Sequence, residues 1–86
     1  MKALLAALAL AWPAAAAEQT LRLTIEGWHS KGDAYKTEQA VRAVKGVTTT
    51  SSNVTEKQLT VVYDDAATSA AAITKAISAA GYLAHR

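Results

Sequence analysis

The apolar residues of this chain change their spacing in a fixed order, and that order leaves few folds open. Residues Thr20 to Ile25 alternate strictly: Leu21, Leu23 and Ile25 share one face, and Thr20, Arg22 and Thr24 share the other. Period two over so short a run is the mark of a half-buried strand. A polar loop with Gly27 and Gly32 follows, from Glu26 to Asp33. The step then lengthens. Ala34, Thr37, Val41 and Val44 recur at three- and four-residue intervals, with Lys36, Glu38, Gln39, Arg42 and Lys45 between them. This predicts an amphipathic helix ended by Gly46, with Lys45 in the last turn, where the helix dipole favours a cation.

The pattern then repeats with the strands paired. Val47 to Val54 is β-branched but polar on both faces, which predicts a strand at a sheet edge. Thr55-Glu56-Lys57 is a turn, and Gln58 to Tyr63 is a strand with Leu59, Val61 and Tyr63 on one face. These two strands read as a hairpin. Asp64-Asp65 closes it with solvated turn chemistry rather than an acid–base pair. Ser69 is a preferred cap for a second helix over Ala70 to Ala80, with its apolar stripe on Ala70, Ile73, Ile77 and Ala80. Gly81 ends that helix, and Tyr82-Leu83-Ala84 is a last short strand. The order is β-α-β-β-α-β. An α+β chain of this order closes as a four-stranded antiparallel sheet with two helices on one face, the ferredoxin-like βαββαβ sandwich.

The first 17 residues belong to none of this. Met1-Lys2, an unbroken apolar run from Ala3 to Trp12, Pro13 and then Ala14 to Ala17 have the form of a secretory signal peptide with a small-residue cleavage site. A cut after Ala17 leaves residues 18–86 as the mature domain. The apolar run is shorter than the roughly 20 residues a membrane span needs, so contact with a membrane would come only through an uncleaved leader. The expected compartment is a periplasm. The leader inflates the 51% apolar content, and loss of Lys2 lowers the formal charge of +2 by one. The remaining basic residues are scattered among acids, a distribution that excludes a nucleic-acid surface. With no cysteine in 86 residues, disulfide frameworks, thiol chemistry and zinc ribbons are excluded by count.

Gly27-Trp28-His29-Ser30-Lys31-Gly32-Asp33, followed in register by Ala40-Val41, Gly46-Val47, Tyr63-Asp64-Asp65, Ser69 and Gly81-Tyr82, resembles the heavy-metal-associated domain family, and most closely its periplasmic mercury-binding members. The resemblance runs from Gln19 to Leu83. It implies the same βαββαβ fold and a metal-binding or carrier role; an enzyme is not expected, because no nucleophile has a base beside it and His29 has no evident orienting acid. The resemblance also implies a loop of the form G-M-x-C-x-x-C, whose two thiolates hold soft ions such as Hg(II) or Cu(I).

Here Trp28 stands at the family's methionine, Ser30 at its first cysteine and Asp33 at its second. A hydroxyl and a carboxylate are hard ligands, so soft-ion binding by the family's chemistry is not expected. His29 and Asp33, with Ser30 between them, offer one nitrogen and one carboxylate to a weakly held Zn(II), Cu(II) or Ni(II). His85, the only other histidine, is a third donor if it folds back or comes from another chain. No cofactor is otherwise implied. The same residues also read as a capping box. Ser30 would accept the N–H of Asp33, Asp33 would reach back to the N–H of Ser30, and the helix would simply start well. Trp28 is expected as a partly buried loop anchor and Tyr82 as core beneath the loop. Thr50 and Ser52, where the family has apolar residues, weaken the second strand or mark an edge that meets a partner. A membrane metal transporter or sensor is the expected partner of a monomer, either for a carrier or for a metal-free interaction module on this scaffold.

Overall fold

The computed structural model describes residues 17–86. The signal peptide assigned to residues 1–17 lies outside the described residues except for Ala17. Six elements follow: β1 (Glu18–Glu26), α1 (Lys31–Arg42), β2 (Val47–Asn53), β3 (Gln58–Asp64), α2 (Ala70–Ala79) and β4 (Leu83–His85). All strand pairings are antiparallel, in the order β2-β3-β1-β4. This is the ferredoxin-like arrangement, with β2 at one edge as its polar sequence predicted.

One face of the sheet makes the core. Leu21, Leu23 and Ile25 of β1 and Leu59 and Val61 of β3 meet Ala34 and Val41 of α1 and Ile73 and Ile77 of α2, with Trp28 closing one end. Tyr63, Val47, Val54, Ala70, Tyr82 and Ala84 pack around them. The alternating residues of β1 lie exposed on the opposite face. Because side chains alternate across a strand, a register slip of one residue would turn the whole apolar set outward.

Boundaries differ from the sequence expectations where local bonding outweighs apolar period. α1 begins at Lys31 rather than Ala34, because its first turn faces solvent and needs no apolar residue. It ends at Arg42. Val44 and Lys45 lie beyond it, in tight turns where Val44 N–H bonds to Val41 C=O and Val47 N–H to Val44 C=O. The basic residue of the last turn is therefore Arg42 and not Lys45. β2 stops at Asn53, whose Oδ1 accepts the Glu56 N–H in the turn. Ser69 caps α2 as expected, its Oγ accepting the Ala72 N–H. The helix stops at Ala79, and Ala80 is exposed rather than part of the buried stripe. β4 starts one residue later than expected, at Leu83.

The polar β2 has a physical account. A bulge between Val47 and Thr49 shifts the register against β3, so that Thr50 and Ser52 lie opposite Val61 and Leu59 on the helix side. The Glu38 carboxylate of α1 meets them there. Oε1 accepts from Thr50 Oγ1 at 2.6 Å and from Arg42 Nη2 at 2.8 Å, and Oε2 accepts from Ser52 Oγ. Arg42 Nε also donates to Thr50. A satisfied polar network joins helix and strand at these positions.

Gly46 has φ +104°, and a Cβ there would sit 2.8 Å from Ala67 Cβ. Gly46→Ala therefore combines a disfavoured backbone conformation with a steric clash. Chemical denaturation should register a loss of about 1–3 kcal/mol or more; an unchanged midpoint would contradict the stated packing of the α1–β2 turn against Ala67.

Candidate functional site

The loop between β1 and α1 is built by a buried indole and a carboxylate. Gly27, at φ +105°, lets the chain leave β1 close to the Tyr82 ring, where a Cβ would meet Cδ1 at 3.2 Å. Trp28 then turns inward. It is a fully buried anchor, only 1% exposed, rather than the partly buried one expected. A buried indole N–H needs an acceptor. Its Nε1 donates to Thr37 Oγ1 at 2.8 Å, and Thr37 donates in turn to the Asp33 carbonyl at 2.9 Å. Thr37 is wholly buried yet fully satisfied.

Asp33 is half-buried, and both of its carboxylate oxygens are engaged. Oδ2 accepts the His29 backbone N–H at 2.8 Å, and Oδ1 accepts the Tyr82 hydroxyl at 2.7 Å. These bonds hold its carboxyl below the ordinary value of 3.8. The Tyr82 bond has the largest effect and the His29 N–H the next, against a smaller opposing contribution from burial; the charges of His29 and Lys36 add to the lowering. The same Asp33 bond, reinforced by burial and the negative charge, pushes the Tyr82 phenol above 10.0.

The capping-box expectation is corrected here. Ser30 is the N-cap of α1, in extended conformation, but its hydroxyl makes no capping bond. Its carbonyl takes the N–H groups of Asp33 and Ala34 at 3.1 and 3.3 Å. Asp33 reaches back one residue further than expected, to His29 rather than Ser30. It still places negative charge in the first turn, where the dipole favours it. The side chains of His29 and Ser30 are exposed at the tip.

His85 does not join them. It pairs with Glu26 on the open face of the sheet, Nε2 to Oε2 at 2.6 Å, beside Thr24 on β1. Among the described residues, no three His, Cys, Asp or Glu side chains gather as a group able to hold a metal ion. Two functional features were missed in the sequence, the Thr37 relay and the Tyr82–Asp33 bond. A threonine four residues after Asp33 on a buried helix face, together with an indole needing an acceptor, was the available signal for the first. The second joins residues 49 apart and had no local signal.

The chain is a small α+β ferredoxin-like domain with an exposed loop leading from β1 into α1. The profile of the heavy-metal-associated domain matches residues 22–82, and the chain belongs to that family. It is 39% identical to the mercuric transport protein periplasmic component of Salmonella typhi, over 95% of this chain and 93% of that one. It is 38% identical to the protein of the same name from Pseudomonas aeruginosa, over the same shares. Among solved structures, oxidized MerP from Ralstonia metallidurans CH34 superposes with a TM-score of 0.77 at 32% identity, covering 80% of this chain and 96% of that one. The N-terminal domain of PacS from Synechocystis PCC6803 superposes with a TM-score of 0.71 at 31% identity, covering 78% and 94%. With no cysteine anywhere, this chain lacks a two-thiolate site.

Three outcomes are expected from stability measurements. Ser30→Ala should change stability by no more than about 0.5 kcal/mol, as for an ordinary surface site, while Asp33→Ala should cost clearly more. Equal effects would restore the capping box. Thr37→Val leaves the indole N–H buried and unpaired, which should cost about 1–3 kcal/mol in urea unfolding. The Asp33–Tyr82 bond should also define a pH window. The Asp33 contribution is complete above the ordinary 3.8 and is lost as pH falls through its lower folded value; the Tyr82 contribution is complete below 10.0 and is lost as pH rises through its higher folded value. Unfolding free energies of Tyr82→Phe against the parent should differ inside this window and converge outside it.

Proposed function

We propose that this is an exported, periplasmic member of the heavy-metal-associated domain family in which soft-ion carriage has been given up. The observation that carries the reading is the state of Asp33. At the position of the family's second thiolate there is a carboxylate spent on Tyr82 and on the His29 N–H. At the position of the first there is an exposed serine hydroxyl, a hard and weak donor for Hg(II) or Cu(I). What remains for a metal ion is the His29 imidazole and the Ser30 hydroxyl at the loop tip; Asp33 adds an oxygen donor only by giving up one of its internal bonds. This is a weak site for Zn(II) or Cu(II). The mercuric transport role in the names of the relatives supports an ancestry in metal handling. Their description as periplasmic components supports both the compartment and the signal peptide of residues 1–17.

A second reading is a metal-free interaction module, working as a monomer against a membrane transporter or sensor of metal ions. Tyr35 favours it: on the first helix, close after the loop, it is 63% exposed, as a partner-contact aromatic would be. Trp28 is unavailable for that role because it is buried.

Native mass spectrometry of the processed chain with Hg(II), Cu(I), Zn(II) and Cu(II), beside the Ser30→Cys/Asp33→Cys double variant, tests the reading. Only the variant should hold Hg(II) or Cu(I) at nanomolar concentration; retention by the parent would overturn the proposal. His29→Ala should abolish any weak Zn(II) or Cu(II) binding. Binding that survives it unchanged would remove the loop as the site.

A further inference from the structure

The start of β1 is tied down by a residue just beyond β3, the strand it pairs with there. Asp65, in the exposed turn after β3, turns its carboxylate to the chain entering the sheet. Oδ1 accepts the Ala17 N–H at 3.2 Å, and Oδ2 accepts Gln19 Nε2 at 3.1 Å. The Asp65 N–H in turn donates to the Ala17 carbonyl at 3.0 Å. Ala17 is thus fastened through both backbone groups, one residue before the first register pair, Glu18 with Asp64.

Sequence alone leaves the cleavage point open by one residue. Ala15-x-Ala17 satisfies the small-residue rule for a cut after Ala17, and Ala14-x-Ala16 satisfies it equally for a cut after Ala16. The two products differ at Asp65. A cut after Ala17 discards both backbone bonds and leaves the Asp65 N–H without its partner. A cut after Ala16 keeps them and converts the Ala17 N–H, already at the carboxylate, into an ammonium. A hydrogen bond from a neutral amide to the carboxylate becomes an ion pair, in which both partners are charged.

We propose that the leader is removed between Ala16 and Ala17, one residue earlier than the sequence expectation, and that Asp65 is the receptor for the new N-terminus. The step is a hydrolysis: water adds across the amide, the Ala16 carboxylate leaves with the leader, and the freed amine of Ala17 carries the proton. The proposal rests on the export reading above, and one experiment separates their failures. The full chain is expressed in a Gram-negative host, and the product recovered from the periplasm is read by intact mass and N-terminal sequencing. A chain starting at Ala17 is expected. A start at Glu18, or anywhere else within the chain, or an uncut chain in the periplasm overturns this proposal alone, whereas a full-length chain retained in the cytoplasm overturns the export reading and the proposal together.

A second measurement tests the role of Asp65. Residues 17–86 contain every element of the fold, so chains beginning at Ala17 and at Glu18 can be compared by thermal unfolding. Asp65→Asn should lower the melting temperature of the Ala17 chain by roughly 2–5 °C more than that of the Glu18 chain, and the difference should shrink when the Ala17 amine is acetylated, which removes the charge and leaves the amide N–H at Oδ1. Equal shifts in the two chains would overturn the assignment of Asp65.

Discussion

Both oxygens of the Asp33 carboxylate are bonded inside the protein, and the arrangement of the loop follows from that. One oxygen fastens the His29 backbone and fixes where the loop turns into α1. The other ties the loop to Tyr82, just after α2 and just before β4. The Asp33 carbonyl accepts from Thr37, which in turn receives the Trp28 indole. A single residue therefore connects the loop backbone, the buried aromatic anchor and the far end of the chain. A thiolate at this position would be a poorer hydrogen-bond acceptor and a far better soft-metal ligand. The carboxylate and carbonyl of Asp33 instead close a set of internal bonds.

Polar bonding also fastens the sheet edge. Thr50 and Ser52 would weaken an apolar packing face, but Glu38 reaches across from α1 and accepts from both, with Arg42 completing the group. The β2 bulge is what turns these two residues toward the helix. The edge strand is thereby attached to the helical layer by directed bonds as well as by Val47 and Val54. The core proper remains aliphatic, closed at the loop end by Trp28.

Period and punctuation carried the fold in the sequence. Strict alternation at Leu21, Leu23 and Ile25, the three-and-four step through Ala34, Thr37 and Val41, and the Ser69 cap each correspond to an observed element. Helix ends were less legible, because Lys31 to Asp33 carry no apolar period and because the turns after Arg42 are closed by backbone bonds. The site was legible in composition but not in geometry. Ser30 and Asp33 could be placed at the family's ligand positions, yet the partner of each Asp33 oxygen depends on the backbone angle at Ser30 and on a tyrosine brought near only by the closed fold. Thr37 read as a neutral member of an apolar stripe because its hydroxyl is satisfied within the core.

The central claim is that the Asp33 carboxylate is occupied by the protein itself. The most direct measurement is the NMR titration of the Asp33 side-chain carboxyl carbon in the folded chain, with and without equimolar Hg(II) or Zn(II). The account predicts a midpoint below the ordinary 3.8, a rise in that midpoint on Tyr82→Phe, and no stoichiometric change with Hg(II). An ordinary midpoint indifferent to Tyr82, or a resonance that moves in proportion to added Hg(II), would contradict it.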